Sequence, residues 1–78
     1  MTTLTLPNEY YENKLFINND ELLLIQPSHN HFDAYIVKQD AFTYQLISKK
    51  PFILQKIPND FITINEENYE ALLFLTKL

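Results

Sequence analysis

Apolar side chains come in short bursts along this chain, each closed off by Asn, Asp or Pro. Residues 14–17 (Lys-Leu-Phe-Ile) and 21–26 (Glu-Leu-Leu-Leu-Ile-Gln) flank Asn18-Asn19-Asp20, the signature of a β-hairpin with a three-residue turn. The leucine run is greasy enough for a helix, but six residues closed by Pro27 is strand length. Residues 32–38 carry Tyr35, Ile36 and Val37, side chains that favour strands. Gln39-Asp40 then turns the chain into residues 41–47, where Phe42, Tyr44 and Leu46 alternate with Ala41, Thr43 and Gln45. That period of two predicts a half-buried strand, broken by Ser48-Lys49-Lys50-Pro51. Residues 52–57 are a further apolar run, strand or extended loop, closed by Pro58, and residues 61–64 a last short strand. Upstream, residues 3–6 read as a strand or ordered arm ended by Pro7, and residues 8–13 are polar apart from Tyr10-Tyr11.

The pattern changes period at Asn65, where a helix over residues 65–78 is expected. The Asn65 side-chain oxygen can accept from the free amides of a first helical turn, worth about 1 kcal/mol. Glu66 and Glu67 sit where the helix dipole favours negative charge. Ile64 before the cap and Tyr69 inside the helix fit a hydrophobic staple. Tyr69, Leu72, Leu73 and Thr76 share one face, and Phe74, Leu75 and Leu78 widen it beyond what a surface helix on a small sheet needs. The fold class expected is α+β, mostly β. Residues 1–78 would form a single domain, a small antiparallel sheet of four to six short strands packed by one C-terminal helix.

Composition sharpens this. A chain of 78 residues buries only about 60% of the surface its unfolded form exposes, and with no cysteine it has neither a disulfide nor a thiolate metal site to help. Six Phe and five Tyr supply apolar area instead. Part of that area is expected to be covered by a partner or by self-association. The chain has no glycine, which excludes glycine-rich phosphate loops and nucleophile elbows. Turns needing positive φ then fall to Asn18-Asn19-Asp20, Asn30, Asp40 and Asn59-Asp60. All six basic residues are lysine and the net charge is −4, which argues against direct nucleic-acid binding, since affinity there comes from neutralising phosphates. No apolar run reaches the roughly 18 residues of a membrane span, and residues 1–5 lack the basic and apolar regions of a secretory signal. The expected site of action is the cytoplasm of a host cell.

Residues 34–73 hold a sequence of features found together elsewhere. Tyr35 is followed by Gln39-Asp40-Ala41-Phe42-Thr43-Tyr44, then a variable stretch. Ile57-Pro58-Asn59-Asp60-Phe61-Ile62-Thr63-Ile64 comes next, and then Glu66-Glu67-Asn68-Tyr69-Glu70-Ala71-Leu72-Leu73. In this the chain resembles the small module of phage tail-fibre assembly proteins, over about half its length and most specifically in residues 57–73. The resemblance implies a non-enzymatic role: binding another phage structural protein and aiding its assembly. It implies no catalytic residues and no cofactor.

Candidate chemistry is sparse. His29, His31 and Asp33 are spaced two apart and on a regular strand would face one side, as part of a zinc or nickel site. Pro27-Ser28 predicts a turn instead, which scatters them, so a solvated loop and no metal are expected. Ser28 beside His29 lacks the third group a nucleophilic dyad needs. Glu66, Glu67 and Glu70 read as a helix start and a solvated face. The residues expected to meet a partner are Tyr69, Leu72, Phe74 and Leu75 on the helix, with Tyr35 and Tyr44 from an aromatic set that also includes Tyr10, Tyr11, Phe16 and Phe42. The competing expectation is a small acidic inhibitor, of the anti-CRISPR or anti-restriction type, whose carboxylates block a host defence protein's nucleic-acid surface. Steep weakening with salt would mark the inhibitor, and near-indifference the assembly module.

Overall fold

In a computed structural model of the chain, which describes residues 10–78, the leucine run lies at the centre of a sheet. Strands β1 (Lys14–Asn18), β2 (Glu21–Pro27), β3 (Phe32–Asp40), β4 (Thr43–Leu46), β5 (Phe52–Leu54) and β6 (Asp60–Thr63) precede one helix, α1 (Glu66–Leu75). The strands form one six-stranded sheet in the order β4-β3-β2-β1-β6, with β5 also pairing β3, and every pairing is antiparallel. The fold is thus mostly β with a C-terminal helix, the α+β architecture expected. The arm expected at residues 3–6 lies outside the described residues.

Two turns set the register, and both differ from expectation. β1 and β2 pair through Asn18↔Glu21, so the loop is Asn19-Asp20 alone rather than three residues. Both residues have positive φ, 53° and 67°, the type I′ geometry whose twist matches the flanking strands. β3 and β4 pair through Asp40↔Thr43, leaving Ala41-Phe42 as the loop. Here Ala41, not Asp40, takes the positive φ of 54°. Phe42 therefore sits at a turn tip, 93% exposed, and does not join the alternating face of Tyr44 and Leu46. Neither Asn30 nor Asn59-Asp60 adopts positive φ, whereas Asn13 does, at 60°.

The outer edge of the long strand β3 is shared. β4 pairs its C-terminal end, Val37 to Asp40, and β5 its N-terminal end, Phe32 to Ala34. The gap between them is closed at Ile36. Its N–H donates to Ser48 Oγ at 2.8 Å, and its carbonyl accepts from Ile47 N at 2.8 Å. Of the apolar run at residues 52–57, only Phe52–Leu54 is strand.

Because strand side chains alternate, the continuous Leu22-Leu23-Leu24-Ile25 run feeds both faces of the sheet. Leu15, Leu24, Tyr35, Val37 and Ile64 pack with Tyr69 and Leu72 on the helix side. Phe16, Leu23, Ile25, Phe32 and Ala34 form a second cluster on the opposite side, with Tyr11, Ile36, Leu54 and Ile57 against it. The proline turn at residues 57–60 leads into β6, which pairs β1, and the Ile64 N–H extends that ladder by donating to the Asn13 carbonyl at 2.9 Å. Asn65 caps α1 through a bond from Asn68 N to its Oδ1 at 2.8 Å, as its position predicts. Ile64 and Tyr69 meet in one cluster, as a staple requires. The helix stops at Leu75, three residues short of expectation, with Thr76 as its C-cap.

Candidate interaction site

The way α1 lies on the sheet decides which of its side chains reach water. Residues three and four apart share a helix face, and Tyr69 and Leu72 turn into the core, 5% and 1% exposed. Leu73 packs beside them. The far end of the helix is pinned to β2: Gln26 Nε2 donates to Thr76 Oγ1 at 3.4 Å, and Thr76 Oγ1 donates to the Leu73 carbonyl at 2.6 Å. Phe74 and Leu75 at the end of the helix, and Leu78 beyond it, stay exposed, Phe74 by 63% and Leu78 by 86%. Leu75 and Leu78 join Leu46, Ser48 and Lys49 around an open groove of about 390 Å³. The apolar end of the molecule is therefore built from β4, the loop after it and the last turn of α1.

The residues expected to meet a partner thus divide. Phe74 and Leu75 are exposed, whereas Tyr69, Leu72 and Tyr35 are core residues, none more than 8% exposed. Tyr44 is half-buried against the helix-side cluster. The rest of the aromatic set is dispersed: Phe16 and Tyr11 lie on the opposite side of the sheet, and Phe42 stands alone at its turn. Leu46 and Lys49 were not legible as part of the site, because their place in it depends on which strand lies beside the helix end.

A second groove, of about 270 Å³, opens at the other end of α1 between Glu12, Asn13, Glu66, Tyr69, Glu70 and Leu73. Burial, with Glu12 and Tyr11 nearby, pushes the Tyr69 phenol up from 10.0 to about 12. Asn13 lines this groove, and its Oδ1 is buried without a hydrogen-bond partner. On the opposite side of the sheet, the Phe61 ring lies 5.8 Å from that of Phe16, with Lys14 Nζ 4.9 Å from the Phe61 centroid.

His31 and Asp33 come together, Nε2 to Oδ1 at 3.1 Å, and the other ring nitrogen of His31 lies 3.1 Å from Asn30 Oδ1. His29 is exposed on the loop, which is closed by Ser28 N donating to the His31 carbonyl. Among the described residues no three His, Cys, Asp or Glu side chains gather as a metal ion would require. The Ser48 hydroxyl is engaged in completing the sheet edge at Ile36. No helix among the described residues is long and apolar enough to cross a membrane. No protein-family model matches the chain, and neither a curated protein nor a solved structure matches it.

Proposed function

We propose that this chain is a non-enzymatic protein–protein interaction module of phage or prophage type, an adaptor or chaperone of the tail-fibre assembly kind, working without a cofactor in the host cytoplasm. The observation that carries the reading is the uncovered apolar end. Phe74 and Leu75 lie at the end of a helix already anchored by Tyr69 and Leu72, and Leu78 follows just beyond it, all three exposed. A contiguous exposed apolar surface marks an interaction site more often than chance. The resemblance of residues 57–73 to the tail-fibre assembly module supplies the setting, and those residues form the turn, β6 and most of α1.

The test is affinity capture from infected-cell lysate with the wild type, Phe74→Asp and Leu78→Asp. Both substitutions fall on exposed positions, and circular dichroism checks that the fold is retained. The wild type should recover a virion structural protein that both variants lose. Equal recovery by all three would overturn the reading.

A second reading keeps one observation in its favour: Glu12, Glu66 and Glu70 line a common groove. In an acidic inhibitor of a host defence protein, these carboxylates would be the active groups. The double variant Glu66→Lys, Glu70→Lys would then lose its partner, while Phe74→Asp would keep it.

A further inference from the structure

Building on the protein-partner reading, we infer that the segment received by the apolar end of α1 is an acidic amphipathic one, with apolar anchors flanked by carboxylates. The charges of this chain are segregated. Residues 41–59 carry Lys49, Lys50 and Lys56 with no Asp or Glu, and residues 71–78 carry Lys77 with no Asp or Glu. All ten acidic side chains fall outside these two stretches, where the only lysines are Lys14 and Lys38. The two stretches without Asp or Glu are also the two that build the apolar groove: β4 and its following loop give Leu46 and Lys49, and the helix end gives Leu75 and Leu78. Lys50 follows Lys49 directly, and Lys77 lies in the turn that closes on the Phe74 carbonyl. The nearest helix carboxylate, Glu70, is one turn back from Phe74 and lines the opposite groove.

A few apolar contacts on so small a surface give affinity with little discrimination. Lys49 in the lining, with Lys50 and Lys77 next to lining residues in the chain, adds it, by steering carboxylate-bearing segments in and repelling basic ones. An open groove beside a helix end suits anchors at helical spacing. Two other occupants fit less well. An anionic bilayer extends over the whole molecule, whose net charge of −4 opposes adsorption, whereas a short segment feels only charges within about 8 Å. A second copy paired through its own apolar end would set Lys49 of one copy against the lysines of the other, a like-charge contact that an acidic segment avoids.

The experiment uses the full chain and labelled synthetic peptides of about 14 residues with leucines at helical spacing. The remaining positions are glutamate in one peptide, glutamine in a second and lysine in a third. Fluorescence anisotropy should show the glutamate peptide binding about tenfold more tightly than the glutamine one, with the lysine peptide weakest. Lys49→Glu with Lys77→Glu should invert that order, and Phe74→Asp should abolish binding of every peptide. Charge-blind binding that Phe74→Asp still abolishes would overturn the acidic partner and leave the apolar docking surface standing. Binding indifferent to Phe74→Asp, or no binding at all, would overturn both. Stronger co-sedimentation with phosphatidylserine vesicles than capture of the glutamate peptide would replace the proposal by a membrane surface. A concentration-dependent mass lost in Phe74→Asp would replace it by a second copy.

Discussion

Ala41 is the only described residue, apart from Asn and Asp residues, that holds a positive φ, at 54°. Left-handed backbone costs an alanine about 1–2 kcal/mol, and the tight loop between β3 and β4 leaves it no alternative. Replacing it by glycine removes that cost but gives back about 0.4–1 kcal/mol through the freer unfolded chain. Ala41→Gly should therefore raise stability by about 0.5–1 kcal/mol in urea denaturation, whereas Phe42→Gly, at the neighbouring position, should not. A destabilised Ala41→Gly protein would show that the turn is held differently. Tyr69 gives a second residue-scale expectation. Its phenol titrates at about 12 in the folded chain against 10.0 ordinarily, because burial disfavours the phenolate and Glu12 adds to this. The neutral phenol is the favoured form, so its contribution is complete below pH 10 and fades as the pH rises towards 12. The loss is on the order of 2 kcal/mol. Stability followed from pH 9 to 12 should fall more steeply for the wild type than for Tyr69→Phe.

At the scale of elements, what could be read from the chain is what neighbouring residues decide. The β1–β2 hairpin follows from two apolar bursts around Asn and Asp, and the β6–α1 unit from a proline turn, a short alternation and an Asn cap. The division of the β3 edge between β4 and β5 could not be read, because it joins residues far apart in sequence and no local period encodes it. Phe42 was misplaced for a related reason. Its alternation with Tyr44 and Leu46 is real in the sequence, but the two-residue turn begins inside it. The candidate site was half legible: the surplus apolar width of the helix showed, but which half faced the sheet did not. Ser48 shows what long-range pairing asks of a single side chain. Its hydroxyl is the partner of the Ile36 N–H in the gap between the two edge strands. Ser48→Ala leaves that amide without a partner and should cost about 1–2 kcal/mol. Amide exchange at Ile36 should accelerate in the same variant, and unchanged exchange would mean that water replaces the hydroxyl at no cost.

For the molecule as a whole, the central question is whether the two sides of the sheet form one cooperative unit. Adjacent residues of β2 answer it, since Leu24 packs on the helix side and Leu23 on the other, each fully buried. A domain of 78 residues has a total stability of roughly 4–12 kcal/mol. Truncating a buried leucine to alanine costs about 2–5 kcal/mol through lost transfer energy and the cavity left behind. Leu23→Ala and Leu24→Ala should thus each consume a large part of the margin, by similar amounts, and each should lower the urea midpoint while keeping one sharp transition. If Leu24→Ala were damaging and Leu23→Ala nearly silent, the helix side alone would hold the fold together. The opposite side would then be a loosely covered apolar surface, and the search for a partner would have to include it. Equal losses place both sides in the core and leave the end of α1, where Phe74 and Leu78 stand clear of it, as an apolar surface free to meet another protein.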